Sequence, residues 1–418
     1  MGGAAGPGIL VIPELDAATA ATLDVAQVLG IITRQGGTTG HGIIVAKSRG
    51  IPLFTDAGEQ LDAVVAGSLV GFDARTGELW VDPDEDEAEE LRNEIESRTR
   101  NRERAFAQAR EPAVTRDGCR ITVAANVTSV DDAAAALIAG ADGSGLVRTE
   151  VLFGARRSVP SIEEQTQQFL AVAAALSGQS ITIRTWDVGG DKPLRFLPQP
   201  REANPFLGER GLRLFRRQPD VLVDQLRAVC RAAQQTPVKV MFPMVSSAAE
   251  VTWALNCLAE AASNEHGGMP ADLKVGVMVE VPAAALAARR VAAQLDFVSI
   301  GTNDLTQYTM AAERGNAAVS HLAKAFDPAV LRLVRLVCEE VPPTVEVAVC
   351  GDLASNPAGA VLLVGLGVRE VSVVAPAVPE VKAGLRRVSL SDAEAVGRRA
   401  LEASGADEVS ALLQSLDE

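Results

Sequence analysis

Eight short apolar runs recur through residues 113–418 of this 418-residue chain, separated by stretches rich in Ala, Leu and Arg. They occupy residues 121–126, 143–149, 181–187, 239–243, 275–280, 297–302, 345–350 and 370–374. Such runs are typical of buried parallel strands, and the stretches between them are typical of helices. Eight strand–helix units in a segment of this length predict an α/β fold, a (β/α)8 or TIM barrel with insertions. A doubly wound open sheet is the alternative, although it would not need eight units.

Polar groups lie at the ends of nearly all these runs. They include Asn126, Arg148, Glu150, Arg184, Asp187, Glu280, Asn303, Asp304, Cys350 and Asp352. In TIM barrels the active groups lie at the carboxyl ends of the strands, so these side chains should share one rim. A barrel with a purely structural role would not be expected to have polar residues at the ends of so many strands.

The side chains expected at this rim suit a small anionic ligand. Forked donors for carboxylate and phosphate come from Arg148, Arg184, Arg210 and Arg314. Glu280 and Asp304 carry the hard oxygen ligands that Mg²⁺ prefers. Asn303 can donate a hydrogen bond to a phosphoryl oxygen. The set therefore predicts a ligand with phosphate and carboxylate groups, bound together with a metal.

The rest of the chain predicts a second domain and a connecting helix. Residues 9–81 alternate short Val, Ile and Leu runs with glycine-rich turns, which is typical of a small α/β domain. Residues 84–111 are almost all charged, acidic at the start and arginine-rich at the end, an order that complements a helix dipole. We therefore divide the chain into a small domain (1–81), a helical linker (82–112) and the barrel (113–418).

One histidine and one cysteine are candidates for chemistry. His41 follows the tight Gly36-Gly37 turn and precedes Gly42-Ile-Ile-Val-Ala, which opens a helix. A histidine at a helix N-terminus meets amide donors that favour an anion on its ring. Cys350 ends an apolar strand at the rim, where it is either an inert buried thiol or a proton donor. His266 and His321 have no comparable context.

Composition excludes several classes of protein. The chain has 39 Lys and Arg against 54 Asp and Glu, a net charge of −15, which argues against nucleic-acid binding through bulk charge. Its five cysteines are scattered, without the spacing of a zinc site or a disulfide framework. There is no apolar run long enough to span a membrane and no secretory signal pattern. These features favour a cytoplasmic protein without membrane insertion.

Several motifs resemble a known family. Gly36-Gly-Thr-Thr-Gly-His41 resembles the phosphohistidine motif of the phosphoenolpyruvate-utilising enzymes. Asn204-Pro-Phe-Leu-Gly-Glu-Arg210 and Ser299-Ile-Gly-Thr-Asn-Asp-Leu-Thr-Gln-Tyr308 resemble the barrel of one branch, enzyme I of the sugar phosphotransferase system, the phosphoenolpyruvate–protein phosphotransferases. Further segments resemble the same branch at residues 145–150, 183–192, 277–283 and 349–352.

The resemblance implies a fold and a two-step relay. The fold is a small swivelling phosphohistidine domain, incomplete here, followed by a linker helix and a phosphoenolpyruvate-binding barrel. Glu280 and Asp304 would hold Mg²⁺, while the substrate's phosphate and carboxylate would be held by Arg148, Arg184, Arg210, Arg314 and Asn303. His41, brought in by the swivelling domain, would accept the phosphoryl group. Cys350 would protonate the released enolpyruvate to pyruvate, and the phosphohistidine would then pass its phosphoryl group to a histidine of a small phosphocarrier protein.

The resemblance also bears on the extent and assembly of the chain. The family places a helical carrier-binding subdomain before the point where this sequence starts, so we expect a piece of a longer phosphotransferase. The family dimerises through the barrel, and a homodimer is therefore expected. The apolar segment 361–368 would either form part of that interface or be a buried helix of the barrel.

Two other functions remain as alternatives. A pyruvate phosphate dikinase or phosphoenolpyruvate synthase shares the phosphohistidine and the barrel, but it needs an ATP-binding domain, and no glycine-rich nucleotide loop is evident here. A non-catalytic regulator that senses phosphoenolpyruvate would be expected to lack His41, Glu280 or Asp304, and all three are present.

Overall fold

A computed structural model describes residues 6–35, 41–73, 77–190, 192–316 and 318–414 of the chain. The fold divides into two compact units. The first comprises Met1–Asn101 together with Gly315–Ala318, and the second comprises Arg102–Arg314 together with Val319–Glu418.

The first unit is a small α/β arrangement. Its elements in chain order are β1 (Gly8–Ile12), α1 (Ala17–Thr22), β2 (Val28–Thr33), α2 (His41–Ser48), β3 (Leu53–Phe54), β4 (Val70–Asp73), β5 (Glu78–Val81) and most of α3 (Glu85–Ala107). Strands β1, β2 and β3 form a parallel sheet, and β4 pairs with β5 as an antiparallel hairpin. The buried core between the parallel sheet and its helices includes Ile31, Ile43 and Leu53.

Helix α3 matches the charged segment predicted to be helical. Glu87 N donates to the Asp84 side chain at 2.9 Å, so Asp84 caps the helix that begins at the next residue. The first turn is acidic, and Arg104 lies in the last turn. This order complements the helix dipole, as the sequence predicts.

The second unit contains strand–helix repeats. Its strands are β6 (Ala113–Val114), β7 (Arg120–Val127), β8 (Ser144–Arg148), β9 (Ile181–Arg184), β10 (Val238–Phe242), β11 (Lys274–Val279), β12 (Phe297–Ile300), β13 (Glu346–Val349) and β14 (Glu370–Val374). Its helices are α4 (Val130–Ile138), α5 (Thr149–Leu152), α6 (Ile162–Ala175), α7 (Pro219–Ala233), α8 (Ala248–Ser263), α9 (Pro282–Leu286), α10 (Ala288–Val291), α11 (Thr302–Met310), α12 (Pro328–Glu340), α13 (Pro357–Gly365), α14 (Val378–Arg387), α15 (Leu390–Glu402) and α16 (Ala406–Gln414).

Strands β7 to β14 form a closed barrel. Each pairs in parallel with the next, and β14 pairs in parallel with β7 from Glu370↔Thr122 to Val374↔Asn126. Each of the eight predicted runs overlaps one of these strands, so the (β/α)8 barrel is confirmed and the open sheet is excluded. The run 181–187 is shorter as a strand, since β9 ends at Arg184 and the following residues leave the sheet.

The barrel interior is filled and its amino-terminal end is charged. A separate buried cluster inside the barrel comprises Leu146, Met241, Met278, Phe297 and Cys350. At the amino-terminal end, Lys239 Nζ of β10 donates to Glu346 at 2.7 Å and to Glu370 at 3.1 Å. The interior is therefore a packed core, and in this fold a ligand is expected at the carboxyl ends of the strands.

The apolar segment 361–368 lies mostly within α13 and is covered. Residues 358–365 of this helix are all buried, and α15 packs against it. This segment is therefore a buried helix of the barrel and offers no surface for dimerisation. Within the ranges given above, no helix combines the length and the apolarity needed to cross a membrane.

Candidate active site

The carboxyl ends of the barrel strands carry the predicted site residues. Arg148 and Arg184 are the last residues of β8 and β9, and Glu280 directly follows β11. Asn303 and Asp304 lie in the first turn of α11, after β12, and Cys350 directly follows β13. The barrel topology thus brings residues that are distant in sequence to one rim, as the sequence predicts.

Arg184 is buried between two carboxylates. Its Nη2 donates to Glu150 Oε1, and its Nη1 lies 3.1 Å from Asp187 Oδ2. Burial alone would lower the pKa of this guanidinium, but Glu150 and Asp187 outweigh burial and raise it. Arg184 is therefore permanently charged, and the two carboxylates fix its position at the rim.

Arg210 connects two further carboxylates and is itself wholly buried. It donates to Asp187 through Nε at 3.1 Å and through Nη2 at 3.2 Å. It also donates to Asp304 through Nη1 and Nη2, both at 2.9 Å. The Arg210 guanidinium therefore already bridges Asp187 and Asp304, and it would have to keep these bonds while it makes its predicted contact with substrate.

Asp304 is a stable anion at this rim. Burial raises its pKa, but the hydrogen bonds and charge of Arg210 outweigh burial and lower it to about 2. Arg314 Nη1 lies 3.7 Å from its Oδ1, which brings the fourth predicted arginine to the same carboxylate. Tyr308, one helical turn further along α11, donates to Phe206 O and accepts from Arg210 at 3.4 Å.

Glu280 differs from Asp304 in its protonation. Its Oε1 accepts a hydrogen bond of 2.7 Å from the backbone NH of Met244, a residue held at φ 59°. Burial, together with the charges of Asp304 and Asp187, raises the pKa of Glu280 to about 7. The charges of Arg210 and Arg184 act in the opposite direction but do not outweigh these causes.

Glu280 and Asp304 fit a magnesium ion in their chemistry. Mg²⁺ is commonly bound by one or two carboxylates, with the remaining positions filled by water and substrate phosphate. A cation beside Glu280 would relieve the repulsion that raises its pKa. The described residues contain no group of three or more His, Cys, Asp and Glu arranged to hold a metal. The two carboxylates would thus need substrate oxygens or water to complete the site.

Arg148 and Asn303 complete the predicted substrate contacts. Arg148 is half-buried and has no hydrogen-bond or ion-pair partner among the described residues. Its forked donors therefore remain available to an anionic ligand. Asn303 uses its Oδ1 to accept from Asp352 N at 3.0 Å, which links α11 to the segment that follows Cys350.

Cys350 is a buried thiol at the end of β13. Burial is the main cause that raises its pKa to about 11. Its Sγ lies 3.8 Å from Ile300 O. The thiol is therefore protonated at neutral pH, which suits a proton donor and not a nucleophile.

His41 belongs to the other unit. Helix α2 begins at His41, in agreement with the sequence. Gly42 packs against the backbone of the preceding segment, because a Cβ there would lie 2.1 Å from Leu15 O. The His41 side chain and the preceding Gly36–Gly40 turn lie outside the described residues, as does Asp191.

The sequence assigned no role to two acidic residues of this cluster. The sequence identifies Glu150 and Asp187 only as polar residues at the ends of runs, yet each contacts Arg184. Asp187 also accepts from Lys192 Nζ at 2.6 Å. The sequence does carry one signal for them. Glu150 lies two positions after Arg148, and Asp187 lies three positions after Arg184, and both of these arginines end a strand.

Two family models match this chain. The family model described as PEP-utilising enzyme, PEP-binding domain, matches residues 102–390, and the one described as PEP-utilising enzyme, mobile domain, matches residues 5–77. A multiphosphoryl transfer protein of Xanthomonas campestris pv. campestris is 42% identical over 409 residues, which cover 97% of this chain and 48% of that protein.

Phosphoenolpyruvate-protein phosphotransferases are also similar to this chain. That of Streptomyces coelicolor is 39% identical over 417 residues, covering 98% of this chain and 72% of that protein. That of Haemophilus influenzae is 37% identical over 412 residues, covering 97% and 71% respectively. The chain thus spans about half the length of the multiphosphoryl transfer protein that it matches.

Proposed function

The chain belongs to the family of phosphoenolpyruvate-utilising enzymes, and from this membership we propose that it acts as a phosphoenolpyruvate–protein phosphotransferase. In this proposal the phosphoryl group of phosphoenolpyruvate passes to His41, and pyruvate is released. The phosphohistidine then passes the group to a histidine of a small phosphocarrier protein. The main support is the convergence of Arg184, Glu280 and Asp304, all buried, at the carboxyl end of the barrel.

The arginines would bind a substrate that carries two anionic groups, a phosphate and a carboxylate. Arg148 has donors without partners in the described residues, and Arg184 is held in place by two carboxylates. Arg210, Arg314 and Asn303 lie on the same rim. Guanidinium forks match phosphate and carboxylate geometry, so phosphoenolpyruvate suits this set better than a neutral ligand.

Glu280 and Asp304 would hold Mg²⁺. When bound, the ion would neutralise charge on the phosphoryl group during transfer. Arg210 keeps Asp304 ionised and oriented, and the Met244 NH orients Glu280. The protein thus supplies two preorganised carboxylates at the rim.

Cys350 would complete the reaction at carbon. In the transfer, the His41 nitrogen uses its own lone pair to bond phosphorus, and the P–O bond breaks with its electron pair left on the enolate oxygen. The enolpyruvate that remains must gain a proton on its methylene carbon to become pyruvate. A thiol whose pKa is raised to about 11 carries that proton at neutral pH.

Phosphate labelling tests the proposal directly. The chain holds three histidines, so the acceptor can be assigned by three single variants. The protein is incubated with ³²P-labelled phosphoenolpyruvate and Mg²⁺, and acid-labile, base-stable phosphate is counted. We expect labelling of the unaltered protein and of the controls His266→Ala and His321→Ala, both at exposed positions, but not of His41→Ala. Label that persists in His41→Ala, or no label in the unaltered protein, would contradict the proposal.

A homodimer formed through the barrel is the assembly we propose for this function. Since α13 is buried, the interface must use other surface residues. Sedimentation at micromolar concentration, with and without phosphoenolpyruvate and Mg²⁺, should show a species of twice the mass of the 43.7 kDa chain. A monomer under both conditions would exclude it.

A further inference from the structure

The carboxylate of Asp187 is the meeting point of three cations at the rim. Its Oδ2 accepts from Lys192 Nζ at 2.6 Å and lies 3.1 Å from Arg184 Nη1. Its Oδ1 accepts from Arg210 Nε at 3.1 Å. Asp187 is wholly buried, so its oxygens are surrounded by these cations and not by solvent.

Asp187 is also the centre of a row of alternating charges. On one side Arg184 contacts Glu150, and on the other Arg210 contacts Asp304. Without the negative charge of Asp187, the two arginines and Lys192 would repel one another where little water screens them. Arg184 would then be held only by Glu150, and Arg210 mainly by Asp304, each on one side.

The segment that carries Asp187 is shaped for this contact. Gly189 has φ 122°, and a Cβ there would lie 2.8 Å from Glu209 O and 3.0 Å from Arg210 Cβ. The backbone of the Asp187 segment is bonded to that of the Arg210 segment, since Gly211 N donates to Val188 O at 3.0 Å. The loop is thus held against Arg210 by its backbone as well as by the carboxylate.

We propose that Asp187 is a positioning residue for phosphoenolpyruvate binding, fixing Arg184 and Arg210 in the orientations from which they meet the substrate and the Asp304 carboxylate. This inference rests on the proposed function. Among the described residues, the partners of the Asp187 carboxylate are Lys192, Arg184 and Arg210, so it acts through the arginines. Forked recognition of phosphate and carboxylate depends on orientation as well as charge, which is why a group that fixes both guanidinium planes controls affinity.

The ionisation of Asp187 agrees with this role. Burial alone would raise its pKa, but Lys192, Arg184 and Arg210 outweigh burial and hold it well below its ordinary value. Asp187 therefore carries its negative charge at neutral pH. Glu150 is the natural comparison, because it contacts Arg184 but not Arg210.

A double-mutant cycle separates positioning from general structural damage. Phosphoenolpyruvate affinity is measured by calorimetry in Mg²⁺ buffer, on the full chain and without a carrier protein. Asp187→Asn and Arg184→Gln should each weaken binding by about tenfold or more. If Asp187 acts through Arg184, the double variant should lose clearly less than the product of the two single losses. A parallel cycle with Arg210→Gln should give the same result.

Control variants define the baseline. Glu150→Gln should weaken binding less than Asp187→Asn, because it releases one arginine and not two. Arg289→Gln removes an exposed ion pair with Glu340 and should leave affinity unchanged. Circular dichroism and thermal melting establish that each variant is folded. If Asp187→Asn does not fold, Asp187→Glu replaces it in the cycle, since it keeps the charge but displaces the carboxylate by one methylene.

The outcomes distinguish this inference from the proposed function. The positioning role is overturned, while the proposed function stands, if the unaltered protein binds phosphoenolpyruvate and Asp187→Asn binds it equally well. The same holds if, in both cycles, the loss of affinity in the double variant equals the product of the losses in the two single variants. If the unaltered protein does not bind phosphoenolpyruvate, the proposed function fails and the role of Asp187 fails with it.

Discussion

Glu280 and Asp304 are neighbouring buried carboxylates with opposite protonation behaviour. Burial, reinforced by the charges of Asp304 and Asp187, raises the pKa of Glu280 to about 7. Burial acts on Asp304 as well, but there the hydrogen bonds from Arg210 outweigh it and lower the pKa to about 2. The Arg210 fork thus makes one of the two carboxylates a permanent anion and leaves the other close to its titration point at neutral pH.

Glu280→Gln should stabilise the metal-free protein in a pH-dependent way. The folded pKa of Glu280 lies above its ordinary value of 4.5, so its ionisation opposes folding fully above about pH 7, and this cost declines as the pH falls towards 4.5. The free energy of unfolding should therefore rise by about 1–3 kcal/mol at about pH 8, with a smaller gain at lower pH. Urea unfolding at several pH values measures this. Asp304→Asn is the matched control and should destabilise the protein at about pH 8, and a gain for Glu280→Gln that does not vary with pH would contradict the prediction.

Cys350→Ala should separate phosphoryl transfer from protonation. Transfer to His41 needs the arginines, the carboxylates and the nucleophile, so a single turnover should still label His41. Formation of pyruvate in the exchange assay should fall sharply, and deuterium from the solvent should enter the methyl group without facial preference. Cys257→Ala, at a buried thiol in α8, is the control. Normal exchange and stereospecific protonation by Cys350→Ala would show that the thiol is only a packed core residue.

Gly351→Ala should disturb the rim through a steric contact. A Cβ at Gly351 would lie 1.8 Å from Thr302 Oγ1 and 2.8 Å from Thr302 N, at the start of the helix that carries Asn303 and Asp304. We expect a loss of about 1–3 kcal/mol in stability and a slower labelling of His41. Gly405→Ala is the control, because a Cβ there meets nothing within 4 Å. Equal melting temperatures for the two variants would contradict this account.

Lys239→Met should destabilise the barrel without affecting its chemistry. Lys239 is 13% exposed and reaches from β10 to Glu346 and to Glu370 of β14, at the end opposite to the candidate site. We expect a loss of about 1–3 kcal/mol. Lys274→Met is the matched control, because Lys274 pairs with the same Glu346 but is 47% exposed, and it should cost less than about 1 kcal/mol. Denaturant unfolding compares them, and equal losses would show that the contact across the barrel adds nothing.

The sequence predicted the barrel and its rim because both depend on local patterns. Buried parallel strands give continuous apolar runs, and the fold then places every residue that follows a strand on the same end. Arg148, Arg184, Glu280 and Cys350 could be placed in this way. Their predicted roles in binding and catalysis stay predictions until they are tested by variants.

The pairing of the charged groups could not be predicted from the sequence. Arg210 and Asp304 are 94 positions apart, and nothing in either segment indicates that one guanidinium bridges Asp304 and Asp187. Nor did composition decide whether segment 361–368 is surface or core. That depends on α15, which covers α13 from a later part of the chain.

The closure of the barrel by β14 has a consequence for biogenesis. The edge of β7 from Thr122 to Asn126 pairs with Glu370–Val374, so its partner is synthesised last among the barrel strands. Strand β6 covers only Arg120 and Ile121 of β7. A nascent chain must therefore keep an apolar strand edge from pairing with other chains until residue 374 has left the ribosome. The step that closes the barrel is thus also the step that covers this strand edge.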